Sequence, residues 1–459
     1  MNVVLINPPK HEMHKENIWK KIGTKLPALG LGYIASYLLQ KGHNVQIIDL
    51  VAEPYKYHGL EVFVKGVDFV GITASTVTIM GALSIAKRVK EISPSTKTVI
   101  GGSHCTAVPE EVLAEPYIDF VVRGEGELVF ADLVERYKTP TKVKGISYRN
   151  KAGKIRHTPN GQFIQNLNDL PYPAHHLLPI DKYKPSLGNY KRLPAMSVLC
   201  GRGCPGRCTF CYSEPFGRKI RFRSVDDIVG ELDLLASSYN IKEISFYDEN
   251  FTTNRYLIKD LCREMKKMDL TWTCSSRVDT VDKRTLKAMA GAGCHQIAYG
   301  IESADPQILK NIKKRIMLSE AKYAVKITQE VGIDARANFM FGCPGETKES
   351  MQKTLDFAVE LNPDLVIFNI CTPLPGTEMF RWAKENGYLK TTDYRDYDFS
   401  RHIMNLPTVS SELVERFYKK SHRKFYMRKG YLWKRAKNIK SPAQLVSDLR
   451  AFNALRRGY

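Results

Sequence analysis

Hydrophobic positions along the chain fall into short, nearly continuous runs separated by stretches with a helical rhythm. In the first 137 residues the apolar runs are NVVLIN (2–7), NVQIID (44–49), FVGIT (69–73), KTVIGG (97–102) and FVVRG (120–124). Helical periodicity occupies 28–41, 78–92, 107–114 and 125–137. Strands that are apolar at almost every position and alternate with helices predict a parallel, doubly wound sheet. Ligands of such a sheet bind at the carboxyl ends of its strands.

The same alternation returns between residues 194 and 385. Strands are predicted at 195–200, 243–248, 272–277, 296–303, 337–342 and 365–370, with helices at 224–239, 254–268, 282–292, 318–331 and 347–361. This succession of βα units fits a partial (β/α)6 barrel, again with its chemistry at the carboxyl ends of the strands. The predicted organisation is thus an α/β chain with a Rossmann-like domain over 1–138, a linker over 139–193, a barrel over 194–385 and a helical, basic region over 386–459. The linker has a hairpin-like rhythm at first and then becomes Pro-rich at NDLPYPAHHLLP.

Charge changes this picture only near the end. The formal net charge is +21, and residues 416–457 carry fourteen Lys and Arg against Asp448 alone, a net +13 of that total. Tyr, Phe, Trp, Leu and Ile interleave with the basic residues of 417–440. A helix pair packing its aromatic face on the barrel explains the pattern, as would peripheral membrane contact or docking on an acidic protein. No nucleic-acid-binding motif accompanies it, so nucleic acid is not an expected partner. No run of 18 uncharged apolar residues occurs, and the N-terminus reads straight into a strand, so a cytoplasmic location is expected.

A reducing location gives the cysteines their meaning. Four of the ten fall within residues 200–211, in LCGRGCPGRCTFC, and three form Cys204-x3-Cys208-x2-Cys211. Thiols of a reduced compartment that cluster in this way point to metal ligation. Three thiolates on one tight loop can hold three irons of a [4Fe–4S] cluster and leave the fourth open; adding Cys200 would instead make a zinc site. Zinc ligands usually come as two separated pairs, and Cys200 ends a strand, which favours iron–sulfur.

The cysteine spacing, with aromatic Phe210 before the last thiol, resembles the radical S-adenosylmethionine (SAM) superfamily. Later strand ends match it in order. YDEN (247–250) resembles the acidic contact to the SAM amino group, Glu249 ahead of Asp248. YGIES (299–303) resembles the Gly-x-Glu-Ser segment, so Gly300, Glu302 and Ser303 are expected near the ribose and methionine parts. ANFMFGCPGET (337–347) resembles the fifth-strand segment, with Asn338 and the backbone at Met340 and Phe341 flanking the adenosine. Each match alone is weak; their order at successive predicted strand ends makes them strong.

A doubly wound domain with LINPP, GGSH and RGEGE at its strand ends, set before such a barrel, resembles the cobalamin-binding members of that superfamily. The resemblance implies that Pro8, Pro9, Thr73, Ser75, Thr76, Gly101, Gly102, Ser103, His104, Gly124 and Glu125 meet cobalamin. The Asp-x-His-x-x-Gly motif that ligates cobalt from below is missing, and His11, His14 and His104 remain as contacts without a spacing argument. It further implies C-methylation of an unactivated carbon of a protein, peptide, lipid or small molecule. A 5′-deoxyadenosyl radical and methylcobalamin would do this, with ferredoxin or flavodoxin as electron donor. Ring closure or carbon–carbon bond formation without methylation is the alternative within the family. A cluster-based, SAM-sensing regulator that binds nucleic acid is the alternative outside catalysis.

Overall fold

The computed structural model describes residues 1–9, 24–186 and 188–437. Its first sheet has the order β2-β1-β3-β4-β5-β6-β7. The strands are β1 (Asn2–Asn7), β2 (Asn44–Asp49), β3 (Phe69–Thr73), β4 (Lys97–Gly101), β5 (Phe120–Val122), β6 (Ile146–Arg149) and β7 (Ile155–His157). The first five are parallel, and the order 2-1-3-4-5 reverses between β1 and β3, which opens a crevice outside their carboxyl ends. Helices Leu29–Gln40 and Gly126–Arg136 cover one face; Ile79–Ile92 and Pro109–Leu113 cover the other.

Two readings of the sequence need correction here. Residues 146–157, placed in the linker, extend the sheet as an antiparallel hairpin on β5, because Ile146 and Tyr148 carry a buried apolar face that needs a partner. The helix expected over 107–114 is two short ones, Ser103–Ala107 and Pro109–Leu113; Pro109 lacks the N–H that would continue the first.

The second sheet is all parallel, ordered β15-β14-β13-β12-β11-β8, with β8 (Ala195–Val198), β11 (Glu243–Phe246), β12 (Thr271–Ser276), β13 (Cys294–Glu302), β14 (Asp334–Phe341) and β15 (Leu365–Ile370). Its flanking helices begin on side-chain caps: Ser224, Asn254, Asp282 and Thr347 each accept a backbone N–H three residues on. Side chains alternate along these strands. Cys274, Ile297, Tyr299, Ala337, Phe339 and Phe368 are buried toward the helices. Ser275, Ala298, Gly300, Asn338 and Asn369 instead retain exposure and line an open lumen. The segment 188–192 closes the floor of that lumen. The Lys191 and Arg192 N–H groups donate to Glu243, and Gln296 Nε2 donates to the Gly188 carbonyl at 2.7 Å.

The free edge of β15 is covered by helix Ser411–Tyr426. The Val366 N–H donates to Tyr426 Oη at 3.0 Å, and that hydroxyl donates back to the Val366 carbonyl at 2.6 Å. The Phe368 N–H donates to His422 Nε2 at 3.4 Å. Burial drives the His422 pKa down to about 4, so its ring is neutral and Nε2 accepts while Nδ1 faces the Tyr418 carbonyl at 3.1 Å. The helix buries Val414, Phe417, Tyr418 and Phe425 and leaves Arg416, Lys420, Arg423 and Lys424 exposed. The first part of the basic region therefore packs its aromatics on the barrel; residues 438–459 lie outside the described residues.

Candidate functional site

The cysteine loop is held by a two-stranded ribbon, β9 (Gly201–Arg202) paired antiparallel with β10 (Arg221–Phe222). Gly203 starts the loop at φ +97°, and a Cβ there would lie 2.4 Å from the Lys219 carbonyl oxygen, so only glycine lets the two arms close. The Cys204 N–H donates to the Gly217 carbonyl at 3.2 Å, and the Thr209 N–H donates to that of Ile312 at 3.0 Å. Cys204 and Cys208 are half-buried and Cys211 is exposed; the other seven cysteines, Cys200 included, are buried.

The three loop thiols form one electrostatic group. Burial, then Glu249 and the Cys208 and Cys204 thiols, push Cys211 up to about 12, while Lys314 opposes the rise. Cys200 responds to a different set, burial first and then Asp248. Among the described residues no three Cys, His, Asp or Glu side chains converge on a single metal ion. A lone zinc would draw its thiolates to within about 2.3 Å of one centre, whereas a cubane takes one thiolate per iron. The donor set fits the cluster.

Around the thiols stand groups from three successive strand ends. Glu249 follows β11, is exposed, and raises both Cys204 and Cys211. Arg277 follows β12 and lies close enough to Cys208 and Cys204 to feel both. It is held by Asp279 at 2.8 and 2.9 Å and donates to the Lys314 and Arg315 carbonyls. Glu302 ends β13 at φ +74°, a left-handed conformation that strains a non-glycine residue by about 1–2 kcal/mol. The turn folds its carboxylate back onto Lys314 at 3.0 Å, directly over Gly300, where a Cβ would lie 2.5 Å from Glu302 Oε1.

Other expected SAM contacts turn elsewhere. Asp248 is buried behind the loop, accepts the Cys200 N–H at 3.0 Å, and is pushed up to about 7 by burial. The Ser303 hydroxyl is enclosed against Thr354 at 3.2 Å. Phe341 stacks on Phe368 outside the barrel, so its backbone alone faces inward, while Asn338 and Met340 lie on the inner face. Phe210 is half-buried against the core.

The strand ends of the first domain form the second face. A cavity of ≈ 230 Å³ opens between this sheet and helices Leu29–Gln40 and Gly126–Arg136. Six of its lining residues are glycine: Gly30, Gly71, Gly101, Gly102, Gly124 and Gly126. Gly102 has φ +111°, and its Cβ would lie 2.4 Å from the Ala74 carbonyl oxygen. Thr73 lines the same cavity, whereas Ser75 sits in a turn with its N–H donating to Thr78 Oγ1 at 2.9 Å. Pro9 packs against Gly81, whose Cβ would meet its carbonyl at 2.5 Å; Pro8 is buried beside it and Ser103 begins a short helix. A groove of bare backbone beside an apolar wall suits a large, rigid organic ligand.

Two of the expected cobalamin contacts are engaged within the protein. His104 is buried between Thr76, 3.1 Å from its Nδ1, and the ring of Tyr394, centroids 4.5 Å apart; burial lowers its pKa to about 4. Glu125 receives Arg221 at 2.9 and 3.0 Å, Arg202 at 3.2 Å and the Ile164 N–H at 2.8 Å. Arg202 also reaches Glu127 at 2.6 Å. His11 and His14 lie outside the described residues.

Comparison with known proteins decides the family. Residues 18–134 match the B12 binding domain model and residues 198–358 the Radical SAM superfamily model. The uncharacterized methyltransferase PH0819 of Pyrococcus horikoshii is 39% identical over 437 residues, 93% of each chain. The chain belongs to the cobalamin-dependent radical SAM enzymes.

An anaerobic magnesium-protoporphyrin IX monomethyl ester cyclase of Rubrivivax gelatinosus is 29% identical, aligned over 100% of this chain and 83% of its own. A cytidylyl-2-hydroxyethylphosphonate methyltransferase of Streptomyces wedmorensis is 28% identical over 87% and 86%. The fold matches the cobalamin-dependent radical enzyme OxsB with aqua-cobalamin bound. That match has a TM-score of 0.74 at 19% identity and covers 99% of this chain and 71% of that one. The methyltransferase TsrM of Kitasatospora setae, with cobalamin and a [4Fe–4S] cluster bound, matches at 0.66 and 17% identity, over 90% and 80%. For this radical SAM enzyme the cofactors are a [4Fe–4S] cluster, S-adenosylmethionine and cobalamin, and methyl transfer is the favoured activity. Zinc and the sensing regulator are set aside. No helix among the described residues is long and apolar enough to cross a membrane.

Sequence reasoning passed over Arg277, Lys314 and Glu346. Glu346 is buried, accepts the Cys343 N–H at 2.9 Å and that of Gly342, and its second oxygen has no partner among the described residues; burial pushes it up to about 8. It fixes the backbone that follows β14. A carboxylate four residues beyond Gly342, in a predicted strand-end turn, was the available signal.

Proposed function

We propose that the chain methylates an unactivated carbon of a small molecule, which sits between the strand ends of its two sheets. When bound, the cluster with SAM supplies a 5′-deoxyadenosyl radical, and cobalamin supplies the methyl group. The observation that carries the reading is the buried brace of Glu125 with Arg202 and Arg221. It ties the loop after β5 to the ribbon bearing Cys204, Cys208 and Cys211, so the cobalamin groove and the thiol loop are held together.

In this reading the three thiolates hold the cluster. Glu249 at the loop's mouth is placed to receive the SAM amino group, and Arg277 and Lys314 offset the negative charge of thiolates and ligand. Asn338 and the inward backbone of β14 line the adenosine side. The glycine-lined groove takes the cobalamin tail. An external electron donor is required, because the chain's own residues supply no reductant. Alignment with the cyclases along the whole chain keeps non-methylating ring closure as a second reading.

The test uses the cluster-loaded, cobalamin-loaded enzyme with SAM carrying a labelled methyl group and a library of candidate small molecules. Methylation predicts label in a product, with S-adenosylhomocysteine and 5′-deoxyadenosine formed together. Substrate-dependent 5′-deoxyadenosine without labelled product would favour ring closure instead.

A further inference from the structure

The lumen of the barrel contains a guanidinium that no carboxylate of the described residues meets. Arg336 lies on the inner face of β14, one inward position before Asn338, and is therefore about 7 Å deeper in the barrel. Its Nη1 donates to Asn189 Oδ1 at 2.9 Å and its Nε to Asn338 Oδ1 at 3.3 Å. Among the described residues Nη2 has no partner. The side chain is partly exposed, although β14 is a central strand of its sheet, because it faces the open lumen.

Among the described residues the neighbouring carboxylates are engaged, Asp334 on the same face of β14 included. Glu243 on the floor pairs with His295 at 2.7 Å and accepts the Lys191 and Arg192 N–H groups. Glu302 at the rim pairs with Lys314. Glu249 lies beside the thiols. Among the described residues no carboxylate acts on Arg336, and desolvation lowers its pKa. A charge kept partly out of water without a counter-ion costs free energy unless something else neutralises it. Two amide oxygens fix the fork's direction yet supply no charge.

We propose that Arg336, oriented by Asn189 and Asn338, is the binding site for an anionic oxygen group of the substrate, a carboxylate or a phosphate. The anion enters the lumen first and leaves the rest of the molecule reaching up toward the thiol loop and the cobalamin groove. The assignment rests on the proposed function for its upper end only. The shared chemistry has a second source, the carboxylate of SAM itself, and the experiment separates the two.

Full-length protein, cluster-reconstituted and cobalamin-loaded without oxygen, is titrated calorimetrically with inorganic phosphate in the presence of SAM, and separately with SAM. The wild type should bind phosphate saturably at one site. Arg336→Gln should weaken that binding about tenfold or more, the worth of a hydrogen-bonded charge. Arg336→Lys should retain most of it, and the SAM affinity of all three should agree within about twofold. Absence of saturable phosphate binding in the wild type, or equal binding in Arg336→Gln, overturns the proposal. A tenfold loss of SAM affinity in Arg336→Gln also overturns it, by giving the site to the SAM carboxylate. Failure of the wild type to take up iron or bind SAM would instead sink the family-based function. Matching thermal midpoints for the three proteins exclude misfolding as the cause.

Discussion

Arg221 meets Glu125 across the junction of the two sheets in a bidentate pair, Nη1 to Oε2 at 2.9 Å and Nη2 to Oε1 at 3.0 Å, with both side chains almost fully buried. One residue comes from the loop after β5 and the other from the ribbon that carries the thiols. Removing Glu125 leaves the buried Arg221 guanidinium without a carboxylate among the described residues, whereas removing Arg221 leaves Glu125 its ion pair with Arg202 at 3.2 Å. Glu125→Ala is expected to destabilise by about 3–5 kcal/mol and Arg221→Ala by less. Chemical denaturation checks this, and a loss below about 1 kcal/mol for both would mean that water replaces the pair.

The thiol loop makes a sharper prediction. Cys204→Ala, Cys208→Ala and Cys211→Ala together should abolish iron and sulfide uptake, whereas Cys200→Ala should leave both unchanged, since Cys200 is buried beneath the loop. Metal analysis after anaerobic reconstitution reads the difference. Zinc retained by the wild type and lost in Cys200→Ala would contradict the cluster.

Gly30 borders the glycine-lined cavity on helix Leu29–Gln40, and a Cβ there meets nothing within 4 Å. Gly30→Leu should keep or raise stability, by up to about 1 kcal/mol, because leucine favours helix over glycine. It should nevertheless reduce cobalamin retention about tenfold or more by filling the groove. Cobalt content and thermal midpoint, measured together, separate blockage from misfolding. Undiminished cobalt would move cobalamin to another face of this domain.

Glu346 gives a pH signature. Its folded pKa of about 8 lies above the ordinary carboxylate value, so the folded state holds a proton that the unfolded chain has released. Stability from this group is complete below about pH 4.5 and falls as pH rises through about 8. Glu346→Gln removes the titration. Its thermal midpoint should gain on the wild type steadily between those limits. Parallel pH profiles for the two proteins would show that Glu346 is already ionised when folded.

The parallel strands of both sheets were legible because most of them carry an apolar run between helical stretches, and the cysteine spacing was legible because its ligands are neighbours in sequence. What the pattern concealed lies in pairings between distant residues. Glu125 sits in a glycine-rich strand-end loop, which reads as a ligand contact, yet its partners are 77 and 96 residues away. His104 was assigned by loop position, and only the fold brings Tyr394 over its ring. Phe341 shows the limit set by strand parity: one position separates a residue facing the lumen from one facing a helix. Arg277 and Lys314 carry no motif, and their approach to the thiols follows from two strand ends being adjacent in the sheet.

The cover that Tyr426 and His422 provide for β15 fixes the order of events during synthesis. The last strand is made well before its cover, so a nascent barrel has an open hydrogen-bonding edge for a few seconds at about 5–20 residues per second. An open parallel edge is a template for pairing with another chain. Premature termination anywhere between Ile370 and Tyr426 would therefore release a polypeptide with every strand present and an adhesive border, so the ribosome and its chaperones must guard this interval.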